Sequence, residues 1–206
     1  MIGWDHRVVG RIATVIGLLL AGPALAGDME KAKTIVTNVC SACHGMDGNS
    51  IIPTFPKLAG RHPEYLVREL KVFISGKRKS ELMAPVVANR DPDDLEALGE
   101  YFGAQKPASG KVLDQKAAEI GKKLYQDGDE ERAVPACAGC HEVDGSGNKR
   151  FPRLAGQHKE YLITQMANFK FRKELRDYNS ARLMREVALR LSDDEIVAVA
   201  EYVNGL

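Results

Sequence analysis

The chain has 206 residues, with 29 Lys and Arg against 28 Asp and Glu and a net charge of +1. That balance excludes the basic footprint of a nucleic-acid-binding protein. All four cysteines fall in two copies of one short pattern, so the chemistry of the chain turns on what that pattern holds.

Residues 1–26 read as a secretory signal: Arg7 and Arg11 near the start, an apolar run through Val15 to Leu20, and Ala24-Leu25-Ala26 before Gly27. The uncharged run from Ile12 to Ala26 has 15 residues, short of the roughly 20 that a spanning helix needs. Cleavage after Ala26 is expected, leaving 180 residues with 27 basic and 27 acidic side chains. No later segment is apolar enough to span a bilayer, and the expected compartment is the periplasm.

A first domain is expected over residues 27–102. Apolar residues return at helical spacing at Ala32, Ile35, Val36 and Val39, at Leu66, Leu70 and Phe73, and at Leu95, Leu98 and Phe102. CSACH runs from Cys40 to His44, and Asp91 before Pro92 marks a helix start. Residues 103–111 have linker composition. A second domain, 112–206, has the same rhythm at Ala117, Ile120 and Leu124, at Leu162, Met166 and Phe169, and at Ile196, Val199 and Val203. CAGCH runs from Cys137 to His141, and Ser192 with Glu195 forms a capping-box pattern.

The two halves are a tandem duplication. FPKLAGRHPEYL from Phe55 matches FPRLAGQHKEYL from Phe151 at an offset of 96, the CxxCH copies match at 97, and Met83 to Tyr101 matches Met184 to Tyr202 at 101. The predicted fold class is all-α, two domains of about three main helices each. Such domains, about 80 to 100 residues long, have thin cores unless a large apolar object fills the centre.

Cys-x-x-Cys followed by His separates the alternatives. A redox dithiol belongs in a βαβ unit, which neither copy resembles, and a four-cysteine zinc site would have to join pairs 97 residues apart. Simple disulfides leave His44 and His141 unexplained. A covalent haem c in each copy explains all six residues and the export signal together. Cys40 and Cys43 would anchor one haem, Cys137 and Cys140 the other, with His44 and His141 as proximal iron ligands.

The sixth ligand decides between carrying electrons and reacting. Of six methionines, Met1 lies in the signal, Met29 has no clear counterpart in the second copy, Met46 is too close to His44, and Met166 aligns with Leu70. Met83 and Met184 remain, at equivalent positions before a loop and a final helix, and are the expected distal ligands. His62 and His158 read as structural, Tyr65 and Tyr161 as helix packing, and Lys77-Arg78-Lys79 as a solvated loop.

With two CxxCH motifs, a downstream Met in each copy, and PxLAGxHxEYL at Pro56–Leu66 and Pro152–Leu162, the chain resembles the dihaem cytochromes c4 of the class I cytochrome c family. The resemblance implies a periplasmic electron carrier with two covalently bound haem c groups, domains related by a pseudo-twofold axis, and Pro56 and Pro152 carbonyls holding the proximal imidazoles. Expected partners are a membrane quinol-oxidising complex as donor and a terminal oxidase or other periplasmic acceptor, with association at the membrane surface left open. The alternative is a dihaem subunit of a periplasmic oxidoreductase such as a flavocytochrome c. Residues 171–183 are longer than their counterpart and lack its Gly76–Arg78 turn, so the second haem edge is expected to be presented differently.

Overall fold

The computed structural model describes residues 24–171 and 179–206. The expected signal therefore lies outside the described residues except for Ala24–Ala26, and so does the middle of the long 171–183 stretch. Among the described residues the structure is helical and contains no strand, only an isolated bridge between Asp129 and Val134.

In the first copy, α1 (Ala24–Ile35) widens into a π-helical turn, Val36–Cys40, and ends in α2 (Ser41–His44); α3 (Pro63–Ile74), α4 (Met83–Val87) and α5 (Pro92–Gly103) follow. The second copy has α6 (Gln115–Asp127), α7 (Ala138–His141), α8 (Lys159–Phe171), α9 (Asn179–Arg190) and α10 (Asp193–Gly205). The first and last helices of each copy cross and pack, α1 on α5 and α6 on α10. Small residues permit this: Ala32 is fully buried in α1, and a Cβ on Gly121 of α6 would collide with the Ala198 carbonyl of α10. The buried core of the first copy is Ile35, Val36, Leu66, Leu98 and Phe102, as the helical spacing predicts.

Three expectations need correction. The α6 stripe is rotated: Ala118, Gly121, Leu124 and Tyr125 are buried, while Ile120 is 57% exposed. Tyr125 turns the helix because its hydroxyl donates to the Glu142 carbonyl at 2.7 Å. The second copy carries a fourth long helix, α9, so Met184 lies inside a helix rather than ahead of a loop. Helix starts behave as read, with a complete capping box at Ser192 and Glu195, although Asp91 caps α5 without a side-chain hydrogen bond.

The third correction is Lys77-Arg78-Lys79. Lys77 and Lys79 are exposed, but Arg78 is buried. Its guanidinium pairs with Glu69 at 2.6 Å, lies over the Phe73 ring, and donates to Tyr161 Oη and Gln165 Oε1 of the second copy. A run of three cations reads as solvated, and nothing local marks the one that turns inward: Glu69 lies nine residues away in sequence, and Tyr161 and Gln165 belong to the other copy.

The copies meet through reciprocal bonds. His62 reaches the Gly147 carbonyl (3.2 Å) and His158 the Ser50 carbonyl (2.7 Å). Arg61 donates to the Arg153 carbonyl, and its counterpart Gln157 clasps the backbone N–H and carbonyl of Lys57. These pairs exchange under the repeat offset, which is the signature of a twofold, self-complementary contact. The segment between α5 and α6 is strapped to both copies: Asn49 holds Lys106 and Ala108, and Asn204 holds Gly110.

Candidate haem sites

Each CxxCH sits on a single helical turn. In the first copy the π-helical turn delivers Cys40, and α2 carries Cys43 and His44. In the second copy Cys137 caps α7, which carries Cys140 and His141. One turn places both sulfurs and the imidazole on the same side of the segment.

His44 and His141 are buried, 6% and 5% exposed. His44 Nδ1 lies 2.8 Å from the Pro56 carbonyl, and His141 Nδ1 lies 2.9 Å from the Pro152 carbonyl. A carbonyl only accepts, so each Nδ1 carries the proton and each Nε2 presents its lone pair. Burial holds both imidazoles below their ordinary pKa; the proline carbonyls act the other way, and the Arg61 charge lowers both further. A neutral imidazole with a fixed tautomer and a free Nε2 is a ready metal ligand.

Sequence reading missed a second role of the repeated FPxLAG element. Phe55 packs its ring 6.3 Å from His44, and Phe151 lies 6.1 Å from His141. The element therefore supplies both the carbonyl and an aromatic wall; the repeat itself was the available signal.

A cavity of about 530 Å³ occupies the second copy, within the roughly 300–1,000 Å³ usual for cofactor sites. Leu162, Met166 and Phe169 of α8, Val187 of α9, Leu191 just after it, and Val199 and Val203 of α10 line it, together with Cys137, Cys140, His141 and Met184. Among its described residues α8 has no buried side chain: it packs on α9 and α10, and Leu162, Met166 and Phe169 also look into this space. The structure thus brings Met184 together with the CxxCH residues. Met83 stands half-buried at the first turn of α4, its N–H donating to Ser80 Oγ at 3.0 Å, and α4 packs on α3. Met29 and Met46 are both exposed.

The donor set fits a covalently held haem c: two thiols to anchor, one neutral imidazole, one thioether and an apolar enclosure. It fits thiolate chemistry poorly. Burial pushes the Cys137 thiol up to about 11 and raises that of Cys40, whereas redox dithiols and zinc ligands need the thiolate. Among the described residues no three His, Cys, Asp or Glu side chains converge into a metal cage.

Comparison with known proteins agrees. A family model of cytochrome c matches residues 29–102 and 118–206. The cytochrome c4 of Thiocapsa roseopersicina is 40% identical over 183 residues, spanning 87% of this chain and 93% of that protein. A thiosulfate dehydrogenase electron acceptor of Stutzerimonas stutzeri strain A1501 is 34% identical over 200 residues, spanning 93% of this chain and 92% of that one. The crystal structure of reduced recombinant cytochrome c4 from Pseudomonas stutzeri superposes with a TM-score of 0.81 at 36% identity, covering 86% of this chain and 98% of that chain. Two tandem all-helical cytochrome c domains with two covalently bound haem c groups place this chain in the cytochrome c4 family of dihaem electron-transfer cytochromes.

Proposed function

We propose that the chain is a periplasmic relay passing single electrons from a membrane quinol-oxidising complex towards a terminal oxidase or another periplasmic acceptor, with no catalytic turnover of its own. Cys40 and Cys43 anchor the first haem and Cys137 and Cys140 the second; His44 and Met83 ligate one iron, His141 and Met184 the other. When bound, each haem iron takes up and releases one electron. The protein's part is to hold the same two ligands in both oxidation states, so that little has to move when the electron passes.

The observation that carries this reading is the placement of Met184 in one apolar cavity with His141, Cys137 and Cys140, while Pro152 fixes the imidazole from behind. Pro56 does the same for His44. Export by the segment ending at Ala26 fits the covalent attachment, since a secreted haem protein gains most from an anchor that cannot dissociate.

A second reading keeps the carrier chemistry and changes the partner: a dihaem subunit bound to a periplasmic oxidoreductase, such as a flavocytochrome c. The thiosulfate dehydrogenase electron acceptor, similar over nearly its whole length, favours an enzyme as donor in that case. Carbon monoxide and donor kinetics test both. With both sixth positions filled by methionine, the dithionite-reduced protein leaves its Soret band unchanged under carbon monoxide and is reduced rapidly by quinol-oxidising membranes. Rapid stoichiometric binding of carbon monoxide to one iron would overturn the carrier. Reduction only by a co-purifying periplasmic enzyme would select the second reading.

A further inference from the structure

Arg61 is a buried cation, 6% exposed, at the boundary between the copies. Its Nε donates to the Lys57 carbonyl at 2.8 Å and its Nη1 to the Arg153 carbonyl at 2.9 Å, and the guanidinium lies 5.7 Å from the Tyr65 ring centroid. Among the described residues no carboxylate lies within ion-pair distance of it. A buried charge without a counter-charge is costly, and proteins resolve that with an anion. The place for one is at hand, because Arg61 belongs to the first copy yet lines the second copy's cavity.

The duplication shows that this is a built difference. The counterpart of Arg61, at the repeat offset, is the neutral Gln157, whose amide is engaged with the Lys57 backbone and the His158 N–H. The other arginines on the cavity have employment on the protein: Arg68 donates to the Lys149 and Arg150 carbonyls, Arg150 stacks on Phe151, and Arg190 bonds Glu186. Glu186 is the one acidic residue on the lining. The wall is thus cationic, and its most buried cation comes from the neighbouring domain.

We propose that Arg61 receives a carboxylate of the haem held in the second copy's cavity, so that the first domain completes the second domain's site. This rests on the reading that Cys137, Cys140 and His141 hold a haem c, a group that carries two propionates. Arg61 is then a positioning residue with an electrostatic consequence: a fixed cation beside one haem disfavours the extra positive charge of its ferric state. The repeat supplies no second cation, since Gln157 is neutral; the first site feels only Arg61 itself, whose charge also reaches His44.

The test is potentiometry on the holoprotein, with the two midpoints assigned from the hyperfine-shifted proton resonances of each haem. Arg61→Gln, which restores the symmetry of the repeat, is expected to lower the second haem's midpoint by about a tenfold shift of the ferric–ferrous ratio, ~59 mV for one electron, and the first haem's by less. Arg61→Lys keeps the charge and most of the potential, but loses the bidentate fork, and so shifts the propionate-bending Raman mode of one haem. If Arg61→Gln does not accumulate, Arg61→Lys alone decides through that mode. Unchanged midpoints, an equal fall in both, or an unmoved Raman mode in Arg61→Lys each overturn the proposal while leaving the haem reading intact. A wild-type protein without covalent haem would instead overturn the reading beneath it.

Discussion

His158 Nε2 donates to the Ser50 carbonyl at 2.7 Å, and the repeat-related His62 meets the Gly147 carbonyl at 3.2 Å. Each histidine holds the loop that follows the other copy's CxxCH turn, so the two haem-binding segments are tied to one another through backbone rather than through solvent.

This clasp makes domain docking sensitive to acid. Burial holds the His158 imidazole below its ordinary pKa, the Ser50 carbonyl opposes that, and the Lys57 charge reinforces it. As pH falls through about 6.5, the unfolded chain takes up the proton before the folded one. The stability contributed by His158 is therefore complete above that pH and is lost as pH drops towards the lower folded value. His158→Ala is expected to cost about 1 kcal/mol at pH 7.5 and to flatten this part of the pH dependence. Guanidinium unfolding of the holoprotein at pH 7.5 and 5.5 reads both effects, and an unchanged pH dependence would reject the role.

Arg78 and Glu69 form an ion pair in which both side chains are 8% exposed. Removing one partner strands the other, so Arg78→Leu is expected to destabilise by about 3–5 kcal/mol and to loosen α8, which loses its bonds from Arg78 at Tyr161 and Gln165. The double replacement Glu69→Met with Arg78→Leu is expected to recover most of the loss. Calorimetry on the two variants checks this; equal unfolding temperatures for single and double variants would show that the bonds across the interface matter and the charge pair does not.

What the sequence made legible follows from where the repeat speaks. CxxCH, the PxLAG element and the helical spacing of Ile35, Leu66 and Leu98 are local patterns, and the structure places them as local rules require. Arg78 was not legible, because its burial depends on Tyr161 and Gln165, more than eighty residues away. Ile120 failed for the same reason: the tie from Tyr125 to Glu142 rotates α6, and no periodicity encodes it. The reciprocal histidines were readable as structural, but only the fold shows that they bridge the copies.

Glu142, directly after His141, adopts φ +66° and ψ 156°, where its counterpart Gly45 adopts φ +77° and ψ 157°. That region is essentially reserved for glycine, and another residue there stores about 1–3 kcal/mol of strain. Glu142 keeps a partial compensation, a bond from Asn148 Nδ2 to its Oε1 at 3.1 Å. Glu142→Gly exchanges that bond for relief of strain and is expected to stabilise the protein by about 1 kcal/mol, with both haems retained. A denaturation midpoint below that of the wild type would show that the side-chain bond outweighs the strain.

The choice of Met184 as distal ligand can be tested against its neighbours in the same cavity. Met166 also lines that space, but it packs with Val134, Leu191 and Ile196 and so belongs to the core. A thioether favours ferrous iron relative to a second imidazole. Met184→His is therefore expected to lower the second haem's midpoint by more than a tenfold shift of the redox equilibrium, ~59 mV, and to remove its share of the weak ferric band of sulfur-to-iron bonding. Met166→Leu keeps the volume and the band, and costs less than about 1.5 kcal/mol of stability. Met83→His is expected to act on the first haem as Met184→His acts on the second, while the exposed Met46 can be replaced by leucine without spectral change. If Met166→Leu, and not Met184→His, abolished the band, the ligand would be on α8 rather than α9. The iron would then be approached from the face that now reads as core.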